Sequence, residues 1–199
     1  VAGEFAHVQS IYPPGVDAHT YEPTSKDMTQ LAKSDAFIYF GSTMEAFVES
    51  AEASLKNEQV ELVSLEEYDE LFETKDKQSS LERNPHVWID PLRMVSMTDI
   101  VTDQLIEMFP EKEALLKENK KDVITDLKKL DEEFKERISP LDGKYLIVPH
   151  AAYHYWEESY GIEEIPISGL SPSEEPSQRY LAKIIETAKQ YQINFLFYE

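Results

Sequence analysis

Three histidines and one glutamate are the residues of this sequence best suited to do chemistry together. A neutral imidazole offers a ring nitrogen to a metal ion, and a carboxylate adds an anionic oxygen. His19, His86, His150 and Glu199 would make a shell suited to Zn²⁺, with ligands about 2.0–2.2 Å from the ion. Spacings of 67, 64 and 49 residues rule out a zinc finger or a pair on one helix. The ligands have to converge from separate segments. Each has an ordinary reading when taken alone: a histidine satisfied in a turn or loop, or a strand reaching water at Glu199.

Neighbouring motifs narrow the chemistry further. His150 and His154 make an H-x-x-x-H pattern, but the residues between them, Ala-Ala-Tyr, lack the glutamate base of a zinc protease. Ser168-Gly169-Leu170-Ser171-Pro172 lacks the second glycine of a nucleophile elbow, and no glycine-rich phosphate loop exists. The absence of cysteine removes disulfides, thiolate zinc sites, iron–sulfur clusters and thiol catalysis. A formal charge of −20 repels phosphate backbones and anionic lipid, so nucleic acid is not expected as a partner. No apolar run reaches the roughly 20 residues that span a bilayer. The opening VAGEFAHVQS is no signal peptide, and a start on Val1 reads as a fragment.

The elements that must position these ligands follow from the pattern. His19 lies in IYPPGVDAHTYEPT, a loop by its prolines and glycine. Thr24 and Asp27 predict a capping box opening a short helix, with Met28, Leu31 and Ala32 inward. Strands are predicted over 36–41 and 60–65, with a helix between them capped by Thr43 and burying Phe47, Val48, Ala51 and Leu55. Residues 66–84 read as a mobile surface loop. In NPHVWIDP, His86 sits in a proline-bracketed turn beside Val87 and Trp88. Asp90-Pro91 then opens a helix burying Leu92, Val95, Ile100, Val101, Leu105 and Phe109. A second helix, from about 111 to 138, carries a narrow apolar stripe through Leu116, Val123, Leu127, Leu130, Phe134 and Ile138. It would span on the order of 40 Å, a strut between two lobes. Beyond it the expectation is strand 144–149, helix 151–160, strand 163–168, helix 176–191 and strand 194–198. His150 would then stand at a strand-to-helix corner and Glu199 at a strand end. The alternation argues for an α/β fold with parallel sheets.

GVDAHTYEPT, NPHVWIDP, IVPHAAYHYWEESYGI, ISGLSPSEEPS and INFLFYE resemble the cluster A-I solute-binding proteins of zinc and manganese ABC transporters. The likeness covers essentially the whole chain and is greatest to the zinc-uptake lipoproteins of Gram-positive bacteria. It implies two parallel-sheet α/β lobes joined by a long rigid linker helix, with metal in the cleft: an N-terminal lobe over 1–110, the helix over 111–138, and an incomplete C-terminal lobe over 139–199. It carries the ligand positions onto His19, His86, His150 and Glu199. It implies a non-enzymatic, extracytoplasmic receptor, monomeric, that hands one Zn²⁺ to a membrane permease. Its tie to the membrane would be a lipid anchor outside this fragment. Members preferring manganese usually carry a carboxylate where this chain has His150, and a nitrogen-rich shell favours zinc over Mn²⁺ or Fe²⁺. A zinc hydrolase with three histidines and an open water position is the alternative from another class, for which no general base stands out. Adhesion, proposed for some family members, has no supporting feature here. Unlike many zinc members, residues 66–84 contain no histidine.

Overall fold

Each of two parallel strand pairs is the centre of its own compact unit in the computed structural model, which describes residues 1–73 and 83–197. One unit comprises Val1–Leu71 with Met97–Lys121, and the other Phe72–Ser96 with Asp122–Glu199. The units interleave along the chain.

In the first unit, Thr24 caps α1 (Ser25–Leu31) through a full capping box with Asp27. Strand β1 (Ala36–Tyr39) pairs in parallel with β2 (Glu61–Ser64), Ile38 opposite Val63. The crossover is α2 (Val48–Leu55). Its Val48, Ala51 and Leu55 pack with Phe47, Tyr21, Phe37 and Tyr39 into the core, and Met28, Leu31 and Ala32 close over it. Phe47, not Thr43, is the residue preceding the helix. The Thr43 hydroxyl donates to Glu66 instead, at 3.0 Å. Buried Glu45 takes the amide of Gly41 at 2.9 Å and the hydroxyl of Tyr12 at 3.0 Å, fastening the end of β1 to the loop that carries His19. Residues 65–67 and 69–71 are 3₁₀ turns with Leu65 and Leu71 buried, so this part of the expected surface loop is built into the core. The stretch 74–82 lies outside the described residues.

Helix α3 (Pro91–Met108) gives its first turns to the second unit and the rest to the first. It buries Thr98, Ile100 and Thr102, while Leu92 is exposed. Helix α4 (Glu113–Ile138) likewise contributes to both units. Leu116 is fully buried but Leu130 is exposed, and the residue buried beside it is Asp131, which takes the Tyr160 hydroxyl at 3.2 Å. Among the described residues no helix is long and apolar enough to cross a membrane.

The sheet of the second unit pairs β3 (Tyr145–Val148) with β4 (Glu163–Pro166), in parallel, through α5 (His154–Tyr160). Gly161, at φ 68°, ends α5 in the left-handed conformation that permits the turn into β4. Helix α6 (Gln178–Gln190) follows, capped by Ser177. The expected strand over 194–198 does not form across its described part, 194–197. Phe197 donates a single amide bond to Ile147 at 3.1 Å, and Phe195, Leu196 and Phe197 are exposed. One bond without a ladder does not make a strand.

The Asp90-Pro91 helix start forms as read, and it carries more than a cap. Asp90 is buried, its Oδ1 accepting the amides of Leu92 and Arg93 at 2.9 Å each, while Oδ2 takes the Ser159 hydroxyl from α5. Asp90→Ala removes a helix cap and strands the half-buried Ser159 hydroxyl, and we expect it to cost about 2–4 kcal/mol. Asp90→Asn, which keeps the cap, is expected to lose clearly less. Urea unfolding at neutral pH of both variants measures the difference.

Candidate metal centre

His86 owes its position to a turn that cannot become a regular helix. Pro85 before it is fully buried, and the Val87 amide closes back on the Pro85 carbonyl at 2.8 Å. One 3₁₀ turn, Val87–Ile89, then leads to Asp90. The strip is pinned to α5 at three places: the Tyr155 hydroxyl donates to the Asn84 carbonyl at 2.7 Å, Trp156 Nε1 to the Ile89 carbonyl at 3.0 Å, and Ser159 to Asp90. Arg93 stacks its guanidinium 4.0 Å above the Tyr155 ring and pairs with Glu158 at 2.8 Å. Val87 is fully buried beside His86. The Trp88 ring lies 5.2 Å from the imidazole but stays partly exposed, so His86 is sheltered mainly on its Val87 side.

His150 follows β3 and Pro149, but the expected helix does not begin there. The amides of Ala151 and Ala152 go to the carbonyls of Gly169 and His150, both at 2.8 Å, and the Tyr153 amide goes to Glu164 Oε1 at 2.7 Å. With these donors committed, α5 starts at His154. His150 therefore sits in a bend, held on both sides by the chain after β4, since Ser168 also donates to the Pro149 carbonyl at 2.9 Å. His154 heads α5, with its Nδ1 4.0 Å from Glu157, so the two histidines share no helix face.

These supports bring two of the expected ligands together. His86 and His150 are both buried, and their Nε2 atoms stand 3.2 Å apart. Two nitrogens each about 2.0–2.1 Å from a tetrahedral ion lie about 3.3–3.4 Å apart, so the pair already has nearly the edge length of a zinc site. Imidazole suits zinc, and burial leaves the pair little access to competing water. His19 belongs to the first unit, in the turn after Asp17, whose carboxylate accepts its amide at 3.0 Å. Glu199 lies outside the described residues.

A cavity of about 710 Å³ opens in the second unit next to this pair, reaching Asn84 and Ala151, with Glu157, Glu164 and Glu174 in its wall. Burial pushes the Glu164 carboxyl up to about 7; the amides of Tyr153 and Ala152 pull the other way, and Glu157 adds repulsion. Asn84 and Tyr155, the residues holding the His86 strip, were not among the candidates read from sequence. The signal available was Asn84 two positions before a proline-flanked histidine.

Residues 1–199 match the family described as "ZnuA: Zinc-uptake complex component A periplasmic". The zinc-binding lipoprotein AdcA of Streptococcus pneumoniae is 29% identical over the whole chain, which spans 42% of that protein's length. The high-affinity zinc uptake system protein ZnuA of Bacillus subtilis is also 29% identical, over 96% of this chain and 63% of its own. Among solved structures, the zinc-bound ZnuA-like domain of S. pneumoniae AdcA superimposes with a TM-score of 0.79 at 29% identity, covering 98% of this chain and 71% of that one. The chain thus spans less than half the length of the streptococcal lipoproteins it matches.

Glu164 makes the stability of the second unit depend on pH in a definite sense. Its pKa is higher folded, about 7, than the 4.5 it has unfolded, so the folded state binds more protons between those values. The group's contribution to stability is therefore lost as pH rises from about 4.5 to 7. Glu164→Gln keeps an acceptor for the Tyr153 amide without the charge. Its urea midpoint is expected to exceed that of the wild type by a margin that is small at pH 5 and full at pH 8. A constant margin would contradict this assignment.

Proposed function

The chain belongs to the ZnuA family of periplasmic zinc-uptake components, and from that membership we propose that it is the capture part of an extracytoplasmic zinc receptor. The single observation carrying this reading is the buried His86–His150 pair at 3.2 Å. On this reading His19 supplies the third nitrogen and Glu199 an oxygen, giving one Zn²⁺ a closed set of protein ligands. A closed set suits binding and release; an open position would suit catalysis. The receptor performs no covalent chemistry. Loaded with zinc, it docks as a monomer on the membrane permease of an ABC transporter, the parent protein being held at the outer face of the cell membrane by a lipid anchor. The names of its relatives, zinc-binding lipoproteins and a zinc-uptake protein, support the cargo and the location.

Calorimetric titration of the metal-free protein with Zn²⁺ is expected to give one ion per chain. His86→Ala and His150→Ala should each lower affinity by about 100-fold or more, and His19→Ala should weaken it as well. Because ligands bind deprotonated, affinity should fall steeply below about pH 6.5. Replacing His150 by glutamate should move preference from zinc toward manganese. Stoichiometric zinc binding untouched by either His86→Ala or His150→Ala would end this reading. Equal or tighter binding of Mn²⁺ by the wild type would favour a manganese receptor of the same fold.

A further inference from the structure

Asn84 is oriented by partners that leave its amide no choice. The backbone N–H of His86 can only donate, and it meets Asn84 Oδ1 at 3.0 Å. The Ala151 carbonyl can only accept, and it faces Asn84 Nδ2 at 2.7 Å. With the two ends of the amide fixed this way, the atom 2.7 Å from His86 Nδ1 is an acceptor, so Nδ1 carries the proton. In a neutral ring the other nitrogen is then bare. That nitrogen is Nε2, the one facing His150 at 3.2 Å. An imidazole side chain free in water favours the opposite tautomer, with its proton on Nε2. Asn84 is buried, the Tyr155 hydroxyl anchors its backbone carbonyl, and its side-chain amide is held at both ends by the chain.

We propose that Asn84 is the positioning residue of the metal centre, one amide acting on both histidines. Through Oδ1 it keeps His86 in the tautomer that presents Nε2 to an ion. Through Nδ2 it holds the peptide next to His150, setting the distance between the two rings. Aspartate at this position would keep the first function but turn a second oxygen toward the Ala151 carbonyl. Alanine or leucine would do neither. Metal-bound histidines commonly have the far nitrogen held by such a partner, and its loss typically costs about 10–100-fold in affinity. The purpose assigned to Asn84 rests on the zinc-capture reading, but its hold on the ring is measurable without metal.

The test begins with metal-free protein labelled with ¹⁵N-histidine at a pH where the rings are neutral. Two-bond ¹⁵N–¹H correlations report which nitrogen of each ring is protonated, and the His86 signals are identified by their loss in His86→Gln. The expected result is a protonated Nδ1 and a bare Nε2 on His86. Asn84→Asp should keep this pattern and hold zinc within about 10-fold of wild type, whereas a folded Asn84→Ala should lose the pattern and bind zinc about 10–100-fold more weakly. A role confined to stability would lower the melting temperature without changing the tautomer. A wild-type ring protonated on Nε2, or a folded Asn84→Ala with unchanged tautomer and affinity, overturns the proposal. If Asn84→Ala does not fold, the wild-type and Asn84→Asp spectra decide. A wild type with the expected tautomer that binds no zinc would overturn the capture reading, and the purpose given to Asn84 with it. An Nε2-protonated ring overturns the Asn84 assignment alone.

Discussion

Two nitrogen bases pressed together in a buried place need something electropositive between them. His86 and His150 impose that constraint on the second unit, with their Nε2 atoms 3.2 Å apart. A shared proton meets the need weakly, and a divalent cation meets it far better, because it accepts both lone pairs at once. The surroundings are arranged to keep the rings from escaping into another solution. The 84–90 strip is fastened to α5 at Asn84, Ile89 and Asp90. The bend at His150 is fastened to the segment after β4 through Pro149 and Ala151. Moving either segment away would break bonds that are expensive to leave unmade in a place with little access to water.

Features written in local chemistry were legible in the sequence. The Thr24–Asp27 capping box and the Asp90-Pro91 helix start each depend on residues within three positions of one another, and both formed as read. The alternation of apolar runs and amphipathic stretches located the four strands among the described residues to within two residues at either end. It also read a fifth over 194–198 that does not form across its described part. Helix α5 starts three residues later than its apolar pattern suggests because the amides of Ala151, Ala152 and Tyr153 are taken by Gly169, His150 and Glu164. Nothing in the local sequence announces partners at those distances. Leu92 and Leu130 fit an apolar stripe yet are exposed, while Thr98, Thr102 and Asp131 are buried through tertiary bonds or packing.

The candidate centre divides the same way. Residue types picked out His86 and His150, since imidazoles in a proline turn and at a strand end are unusual enough to notice. Asn84 carries no such mark in the sequence, because its importance lies in a bond to Ala151, 67 positions away. Polar side chains that organise a site through the backbone of a distant segment have no periodicity and no motif, and only a fold reveals them.

The interleaving of the two units has a consequence for how the protein is made. The NPHVWIDP strip leaves the ribosome 64 residues ahead of His150, an interval of about 3–13 s at ordinary elongation rates. During that wait the Asn84 amide and the His86 ring are wetted, and the pair does not exist. It appears only when a long loop closes, after the entropic cost of closure has been met. An ion bound to the finished pair ties the ends of that loop together, as a cross-link would. If the chain captures zinc as proposed, the ion is also a staple: loading would hold that loop shut, and unloading would return it to its own devices.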